Sequence, residues 1–246
     1  MPVMTQAVDL PGTRPFSELP LSPAMLANLR QLDYLTMTPI QAASLPVALA
    51  GHDLIAQAKT GSGKTAAFAL PLLQRLDARS FAVQALVLCP TRELAEQVTQ
   101  EIRRLARAED NIKILTLCGG SPIRPQADSL AHGAHVVVGT PGRLMDHISR
   151  GSLKLDALAT LVLDEADRML DMGFFDDIAY VAKSCPKHRH PGARPGNCNR
   201  DSARACACGR TGTRGRRYRP RRPFPAGGDG RDRQTPRRDR RARPAI

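Results

Sequence analysis

A glycine-rich loop and an acidic pair have the residue types that a nucleoside triphosphate site needs. Residues 58–65 have the sequence Ala-Lys-Thr-Gly-Ser-Gly-Lys-Thr, and residues 164–167 have the sequence Asp-Glu-Ala-Asp. Glycines let backbone amides turn toward phosphates, and a lysine binds the β and γ oxygens. An aspartate at the end of a strand can hold the metal, and an adjacent glutamate can orient the attacking water. Together the two segments predict a site for ATP and Mg²⁺.

The prediction gives each side chain of this site a role. Lys64, Asp164 and Glu165 are the expected catalytic residues, and Thr65 and Asp164 are the expected Mg²⁺ ligands. A glycine turn between two elements is the alternative, which the order of strand, loop and helix disfavours. The residues expected to contact ATP in the loop are Ala58, Lys59, Thr60, Gly61, Ser62, Gly63, Lys64 and Thr65.

The pattern between residues 53 and 164 predicts the elements that position this site. Short aliphatic runs alternate with longer helical patterns, which is typical of a doubly wound α/β fold with a parallel sheet. Ligands bind beyond the carboxyl ends of the strands in such sheets, where both ATP segments lie. The expected strands are residues 53–56, 85–89, 112–117, 135–138 and 160–164. The expected helices are residues 64–76, 92–108, 123–130 and 141–149, with another that begins after Ser22.

A glutamine ahead of the sheet is a candidate for base recognition. Gln41 follows Thr38, Pro39 and Ile40. A buried carboxamide offers both a donor and an acceptor to the edge of an adenine. A glutamine that only caps or lines the following helix is the alternative, and the residues alone leave both open.

Polar residues and glycines follow the other expected strands, on the same edge of the sheet. Amides at helix starts, threonine hydroxyls and arginines bind phosphates without reading bases. This pattern is compatible with sequence-independent binding to the backbone of a single nucleic acid strand. From the residues alone, ordinary first-turn residues and turn glycines are the more common explanation. The residues concerned are Thr91, Arg92, Gly120, Thr140, Gly142 and Arg143.

In this order the segments resemble the first RecA-like domain of the DEAD-box ATP-dependent RNA helicases, over about residues 16–183. The alanine at position 58, where a generic phosphate loop has glycine, is part of the resemblance. The matching segments are Phe16 with residues 38–41 (the glutamine motif), residues 58–65 (motif I), residues 90–95 (motif Ia), Gly119 and Gly120 (the glycine doublet), residues 140–143 (motif Ib) and residues 164–167 (motif II).

The resemblance implies further roles. It implies that Gln41 binds adenine with Phe16 stacked nearby, and that Pro90, Gly119 and Pro141 join the RNA contacts. The implied ligands are ATP and Mg²⁺, and the implied partner is RNA. The sequence around the motifs is most similar to a bacterial subfamily that acts on ribosomal RNA, which makes ribosomal RNA the candidate. The sequence indicates no oligomeric state.

Charge is distributed unevenly along the 246 residues, whose formal net charge is +13. Residues 187–246 contain 19 Lys and Arg and 4 Asp and Glu. Residues 1–186 contain the other 17 Lys and Arg (36 − 19) and the other 19 Asp and Glu (23 − 4). Ile246 is the only Leu, Ile, Val or Met in residues 187–246, so no core is expected there.

The expected organisation is a flexible segment at 1–15, a RecA-like ATP-binding domain at 16–186 and a disordered tail rich in Arg, Pro and Gly at 187–246. The absence of a signal sequence or an apolar run long enough for a membrane span predicts a cytoplasmic location.

The sequence departs from the family pattern after residue 183. The pattern requires a further strand with a Ser-Ala-Thr motif and a second RecA-like domain, and neither occurs in residues 184–246. The expectation is therefore an incomplete sheet, weak Mg-ATP binding, little hydrolysis and no RNA unwinding by this chain alone.

Two origins are open for the basic tail, and they lead to different functions. It is a natural arginine-rich arm that binds RNA nonspecifically, or the product of a shifted reading frame after about Pro186. The abrupt change and the ratio of one Lys to 18 Arg favour the second origin. The alternative functions are a passive RNA-binding protein and a translated pseudogene product. Zinc ligands among Cys198, Cys206 and Cys208 are disfavoured, because their spacing fits no usual zinc pattern.

Overall fold

The computed structural model describes residues 14–59 and 61–186. Its four strands form a parallel sheet, in which alternate residues face two separate apolar cores. Val87 and Val138 belong to one core, whereas Leu86 and Val137 belong to the other. The strands are β1 (Ala85–Leu88), β2 (Ile114–Leu117), β3 (Val136–Gly139) and β4 (Thr160–Leu163). Their order across the sheet is β2-β3-β1-β4.

Helices cover both faces of the sheet, which confirms the doubly wound α/β fold. Short 3-10 helices also occur at Phe16–Glu18 and Ala106–Ala108. The helices are α1 (Pro23–Gln31), α2 (Pro39–Leu49), α3 (Lys64–Gln74), α4 (Arg92–Leu105), α5 (Ile123–Ala131), α6 (Pro141–Ser149), α7 (Ala166–Asp171) and α8 (Phe175–Ser184). None of the helices in the described part of the chain is both long and apolar enough to cross a membrane.

Local capping chemistry explains where several helices begin. The Ser22 hydroxyl accepts a hydrogen bond from the amide of Met25 at 3.1 Å, ahead of Pro23 at the first helical position. The hydroxyl of Thr91 accepts a bond from the amide of Leu94 at 3.3 Å at the start of α4. Each bond satisfies an amide that has no partner within the helix.

The expectation of a strand at residues 53–56 is wrong, since this segment forms no ladder in the structure. A strand requires a neighbouring backbone to accept and donate its hydrogen bonds. The amides of Thr160 and Asp164 donate to β1 and its flanking residue Gln84, so the intervening amides of Leu161 and Leu163 point to the other edge of β4. Within the described residues no strand lies on that edge. The other four expected strands are confirmed, with ends that differ by one or two residues.

The two terminal segments of the expected organisation fall almost entirely outside the described residues. These are residues 1–13 of the expected flexible segment and the whole of the tail at 187–246. The candidate zinc ligands Cys198, Cys206 and Cys208, with His188 and His190 near them in the sequence, belong to that tail.

Candidate functional site

The backbone of the phosphate loop, residues 58–65, bends at two glycines. Gly61 and Gly63 have φ angles of 79° and 86°, in the left-handed region that glycine adopts without strain. A Cβ atom at Gly63 would also collide with the Nε2 atom of Gln41, and it would lie 3.3 Å from the hydroxyl oxygen of Thr38. Gly63 therefore allows α2 to pack directly against the loop.

Lys64 is the first residue of α3, and its ammonium group lies across the loop. The Nζ atom donates to the carbonyl oxygen of Ala58 at 2.9 Å, which uses one of its three protons. The hydroxyl oxygen of Ser62 is buried and has no hydrogen-bond partner among the described residues. A helix start, a bridging ammonium and an unpaired hydroxyl are the features that an oxyanion with several oxygens would satisfy. The loop therefore fits a phosphate group, although Thr60 lies outside the described residues.

The carboxamide of Gln41 connects the start of α2 to this loop. Its Oε1 atom accepts from the amide of Thr38 at 2.9 Å, and its Nε2 atom donates to the carbonyl of Gly63 at 3.1 Å. The hydroxyl of Thr38 donates to the carbonyl of Ser62 at 2.8 Å. Gln41 is 1 % exposed and keeps one N–H and one lone pair beyond these bonds. Phe16 is also buried, with its ring edge-on to Tyr34 at a centroid distance of 6.0 Å.

Asp164 directly follows β4 and is 4 % exposed. Burial raises the pKa of its carboxyl to about 6, while the charge of Lys64 opposes this change and the charge of Glu165 adds to it. The positive charge of Lys64 at the phosphate loop therefore acts on the carboxylate at the end of β4. Thr65, the second residue of α3, is half-buried.

Glu165 occupies an uncommon backbone conformation for a residue with a side chain. Its φ and ψ angles are both 50°, in the left-handed region, which costs about 1–2 kcal/mol for a residue other than glycine. Its Oε2 atom forms an ion pair with the Nη1 atom of Arg168 at 3.2 Å. Strained conformations of this kind concentrate at functional sites.

A metal ion at this site would be held by few protein side chains. Nowhere in residues 14–59 and 61–186 do three His, Cys, Asp or Glu side chains gather as a metal site. Mg²⁺ at nucleotide sites is held by one or two protein ligands together with water and phosphate oxygens. A hydroxyl at Thr65 and a carboxylate at Asp164 fit this requirement.

The residues expected to contact RNA lie together beyond the carboxyl ends of β1, β2 and β3. We call residues 90–92, 118–121 and 140–143 the carboxyl rim. The guanidinium of Arg92 lies over Gly120, where a Cβ atom would collide with its Nη1 atom. Gly120 has a φ angle of 81°, and Gly119 before it has open space around it. Arg92 and Gly120 are therefore in contact across two loops.

The third segment of the carboxyl rim begins helix α6. The amide of Thr140 donates to the carbonyl of Leu117 at 3.2 Å, which joins this segment to the end of β2. Pro141 is buried, as is Pro90 in the first segment. A Cβ atom at Gly142 would lie 3.4 Å from the Oδ2 atom of Asp177 in α8. The rim is thus packed against the helices on that face of the sheet.

Arg143 is bound to the loop that follows β2. Its Nη1 atom donates to the carbonyl of Ser121 at 2.9 Å and to the Oε1 atom of Gln126 at 3.1 Å. The same Oε1 atom is 3.0 Å from the Nε2 atom of His147. Burial lowers the pKa of His147, and the charge of Arg143 lowers it further. Sequence reasoning missed Gln126 and His147, because neither belongs to a motif.

Comparisons with known proteins agree with this geometry. The family model described as DEAD/DEAH box helicase matches residues 38–194. The ATP-dependent RNA helicase DbpA of Escherichia coli (strain K12) is 64 % identical over 169 residues, which cover 69 % of this chain and 37 % of that protein. The ATP-dependent RNA helicase CshA of Listeria monocytogenes is 48 % identical over 174 residues, covering 71 % and 33 %. The chain thus spans about a third of the length of these relatives.

A solved structure has the same fold. The crystal structure of a DEAD box protein from the hyperthermophile Methanococcus jannaschii aligns with a TM-score of 0.68 at 39 % sequence identity. The alignment covers 79 % of this chain and 49 % of that one.

Proposed function

The chain belongs to the DEAD/DEAH box helicase family, and from this premise we propose that it binds Mg-ATP and the RNA backbone as the first RecA-like domain, residues 16–186, of an ATP-dependent RNA helicase. The observation that carries the proposal is the meeting of the phosphate loop with Asp164 at the carboxyl end of the sheet. Lys64 donates across the loop to the carbonyl of Ala58, and its charge acts on the Asp164 carboxyl.

In the ATP site, each residue has a separate task. Lys64 exchanges its bond with the carbonyl of Ala58 for the phosphate oxygens, and the unpaired hydroxyl of Ser62 gains a partner. Thr65 and Asp164 would hold Mg²⁺. When bound, Mg²⁺ neutralises charge that develops on the phosphate oxygens. Glu165 orients the attacking water through its carboxylate.

Gln41 is the proposed adenine ligand, and the remaining bonding capacity of its carboxamide supports this role. One N–H and one lone pair are left after the bonds to Thr38 and Gly63. Phe16 supports this region from the core, where it packs against Tyr34. Adenine recognition and the shape of the phosphate loop would then depend on the same side chain.

The carboxyl rim is the proposed RNA site. Its helix starts and two arginines suit phosphate groups and leave base edges unread, so we expect affinity for single strands of any sequence. Ribosomal RNA stays the predicted natural partner. The 246-residue chain aligns with 37 % of the DbpA sequence, and we propose that alone it binds Mg-ATP weakly, hydrolyses it slowly and does not unwind RNA.

Binding of a fluorescent ATP analogue to the full chain tests the ATP site. Lys64→Met should lower the affinity at least about tenfold, since a charged hydrogen bond contributes about 1.5–3 kcal/mol. Lys154→Met changes an exposed lysine and serves as the matched control. Equal affinities of the two variants would refute the assignment of Lys64.

Turnover measurements test the second part of the proposal. The full chain should hydrolyse ATP slowly with or without RNA. Rapid RNA-stimulated turnover that Glu165→Gln abolishes would show instead that this chain carries a complete ATPase site.

A passive RNA-binding protein is the second candidate, and the 19 basic residues against 4 acidic ones in residues 187–246 favour it. Binding through such a segment depends steeply on salt, because each phosphate contact releases counterions. Removal of residues 187–246 should then reduce both the RNA affinity and its salt dependence. Unchanged values would exclude the tail as the source of affinity.

A further inference from the structure

The carboxamide of Gln126, in the first half of α5, uses its complete hydrogen-bonding capacity between two segments of the carboxyl rim. Its Nε2 atom donates to the carbonyl of Cys118 at 3.0 Å and to the hydroxyl of Ser121 at 2.8 Å. Its Oε1 atom accepts from Arg143 at 3.1 Å and lies 3.0 Å from the Nε2 atom of His147. A primary amide has two N–H donors and two lone pairs, and all four are used here. Gln126 therefore joins the loop after β2 to helix α6.

Only one orientation of this amide is compatible with its neighbours. If the amide were flipped, its oxygen would face the carbonyl of Cys118 and its nitrogen would face the donor of Arg143. The same reasoning fixes the imidazole of His147, whose Nε2 atom must carry the proton that Oε1 accepts. Its Nδ1 atom lies 2.8 Å from the hydroxyl oxygen of Ser152, which also lies 3.1 Å from the carbonyl oxygen of His147. The carboxamide is thus held from both ends.

The bonds to Gln126 and Ser121 determine which edge of the Arg143 guanidinium is left for a ligand. Both bonds use Nη1, which has two protons. The Nε and Nη2 atoms form the other edge of the planar group, with three N–H donors. That edge matches two oxygens of one phosphate, which is the bidentate geometry that makes arginine contacts strong.

We propose that Gln126 is a positioning residue for RNA binding, which holds Arg143 so that its Nε and Nη2 edge receives a backbone phosphate. The proposal rests on the proposed function of the carboxyl rim. An arginine that is held in advance loses less side-chain entropy on binding than a free one. Gln126 therefore acts on RNA binding through Arg143.

A double-mutant cycle with the full chain tests whether Gln126 acts through Arg143. The variants are Gln126→Met, Arg143→Met and their combination, with Gln100→Met on the exposed face of α4 as the matched control. The measurement is the affinity for a fluorescent oligouridine strand at several salt concentrations. We expect Gln126→Met and Arg143→Met each to weaken binding by about tenfold, and the double variant to be no weaker than Arg143→Met. The control should bind as the unaltered chain does, and Mg-ATP affinity should change less than twofold in all variants.

The results separate this proposal from the proposed function. If Arg143→Met leaves RNA affinity unchanged, the rim does not bind RNA and the proposed function fails. If Arg143→Met weakens binding but Gln126→Met does not, only the positioning role fails. If the affinity of the double variant falls by the product of the two single losses, the proposal is also overturned, because Gln126 then acts independently of Arg143.

Nuclear magnetic resonance of the unaltered chain provides a test that needs no variant. A guanidinium held at Nη1 rotates slowly about its Nε–Cζ bond, so Arg143 should give separate signals for its two Nη groups before RNA is added. Addition of oligouridine should then shift the Nε–H signal. A single averaged Nη signal in the free protein would show that Gln126 does not hold the side chain.

Discussion

Replacing Asp164 with asparagine should make the protein more stable while it removes a proposed metal ligand. Asp164 is 4 % exposed, and burial raises the pKa of its carboxyl from 3.8 to about 6. This difference corresponds to about 3 kcal/mol at about 1.36 kcal/mol per pH unit. Asparagine has nearly the same shape and can accept the same backbone hydrogen bond, but it carries no charge to desolvate.

The sign of the effect follows from proton binding. Since the pKa of Asp164 is higher in the folded state, the native protein binds more protons than the unfolded chain between about pH 4 and pH 6. The stability contribution of Asp164 therefore decreases as the pH rises through this range, and asparagine shows no such decrease. We expect the free energy of unfolding of Asp164→Asn to exceed that of the unaltered chain by up to about 3 kcal/mol at pH 8 and by about half of this at pH 5.

Urea unfolding of the full chain at pH 5 and pH 8 measures this difference. Asp156→Asn, at an exposed carboxylate, is the control and should change stability by no more than about 0.5 kcal/mol. Asp164→Asn should not bind Mg-ATP at pH 5 or at pH 8. Equal stabilities of Asp164→Asn and the unaltered chain at pH 8, or a difference that grows on acidification, would refute the reasoning.

Three further substitutions test contacts that support the site. The side-chain nitrogen of Asn28 donates to two carbonyls at the end of α4, at 3.2 and 2.9 Å. Asn28→Ala removes both bonds and should lower the free energy of unfolding, measured in urea, by about 2–3 kcal/mol. Gly63→Ala should weaken binding of the fluorescent ATP analogue more than Gly61→Ala, since both have positive φ but only Gly63 lacks room for a Cβ atom. The unaltered chain should lose stability between about pH 10 and 12, because burial and the hydrogen bond to Glu101 raise the pKa of Tyr34 to about 12. Tyr34→Phe should not show this loss, and alkaline unfolding midpoints test the difference.

Helix starts could be predicted because their causes are local. Thr140 and Pro141 begin α6 and Ser22 and Pro23 begin α1, where the sequence places a cap residue before a proline. The segment at residues 53–56 has the same aliphatic character as the true strands. It forms no ladder because pairing depends on a partner strand, and no pattern within four residues specifies that partner.

The supporting contacts of the site could not be predicted for a similar reason. Gln126 lies 17 residues from Arg143 and 21 residues from His147, and no spacing rule connects them. Gln41 was predicted from its motif as an adenine ligand, but its bonds to Thr38 and Gly63 follow only from the packing of α2 against the phosphate loop.

The two halves of the proposed site share one physical arrangement, in which a neutral carboxamide holds the loop beside a cation. Gln41 holds the phosphate loop next to Lys64, and Gln126 holds the loop after β2 next to Arg143. A carboxylate in either place would neutralise the cation and repel phosphate, and a lysine or arginine would lack the acceptor that each contact uses. Glutamine provides both donor and acceptor without adding charge. The positive charge that faces phosphate is therefore preserved while the backbone that presents it stays fixed.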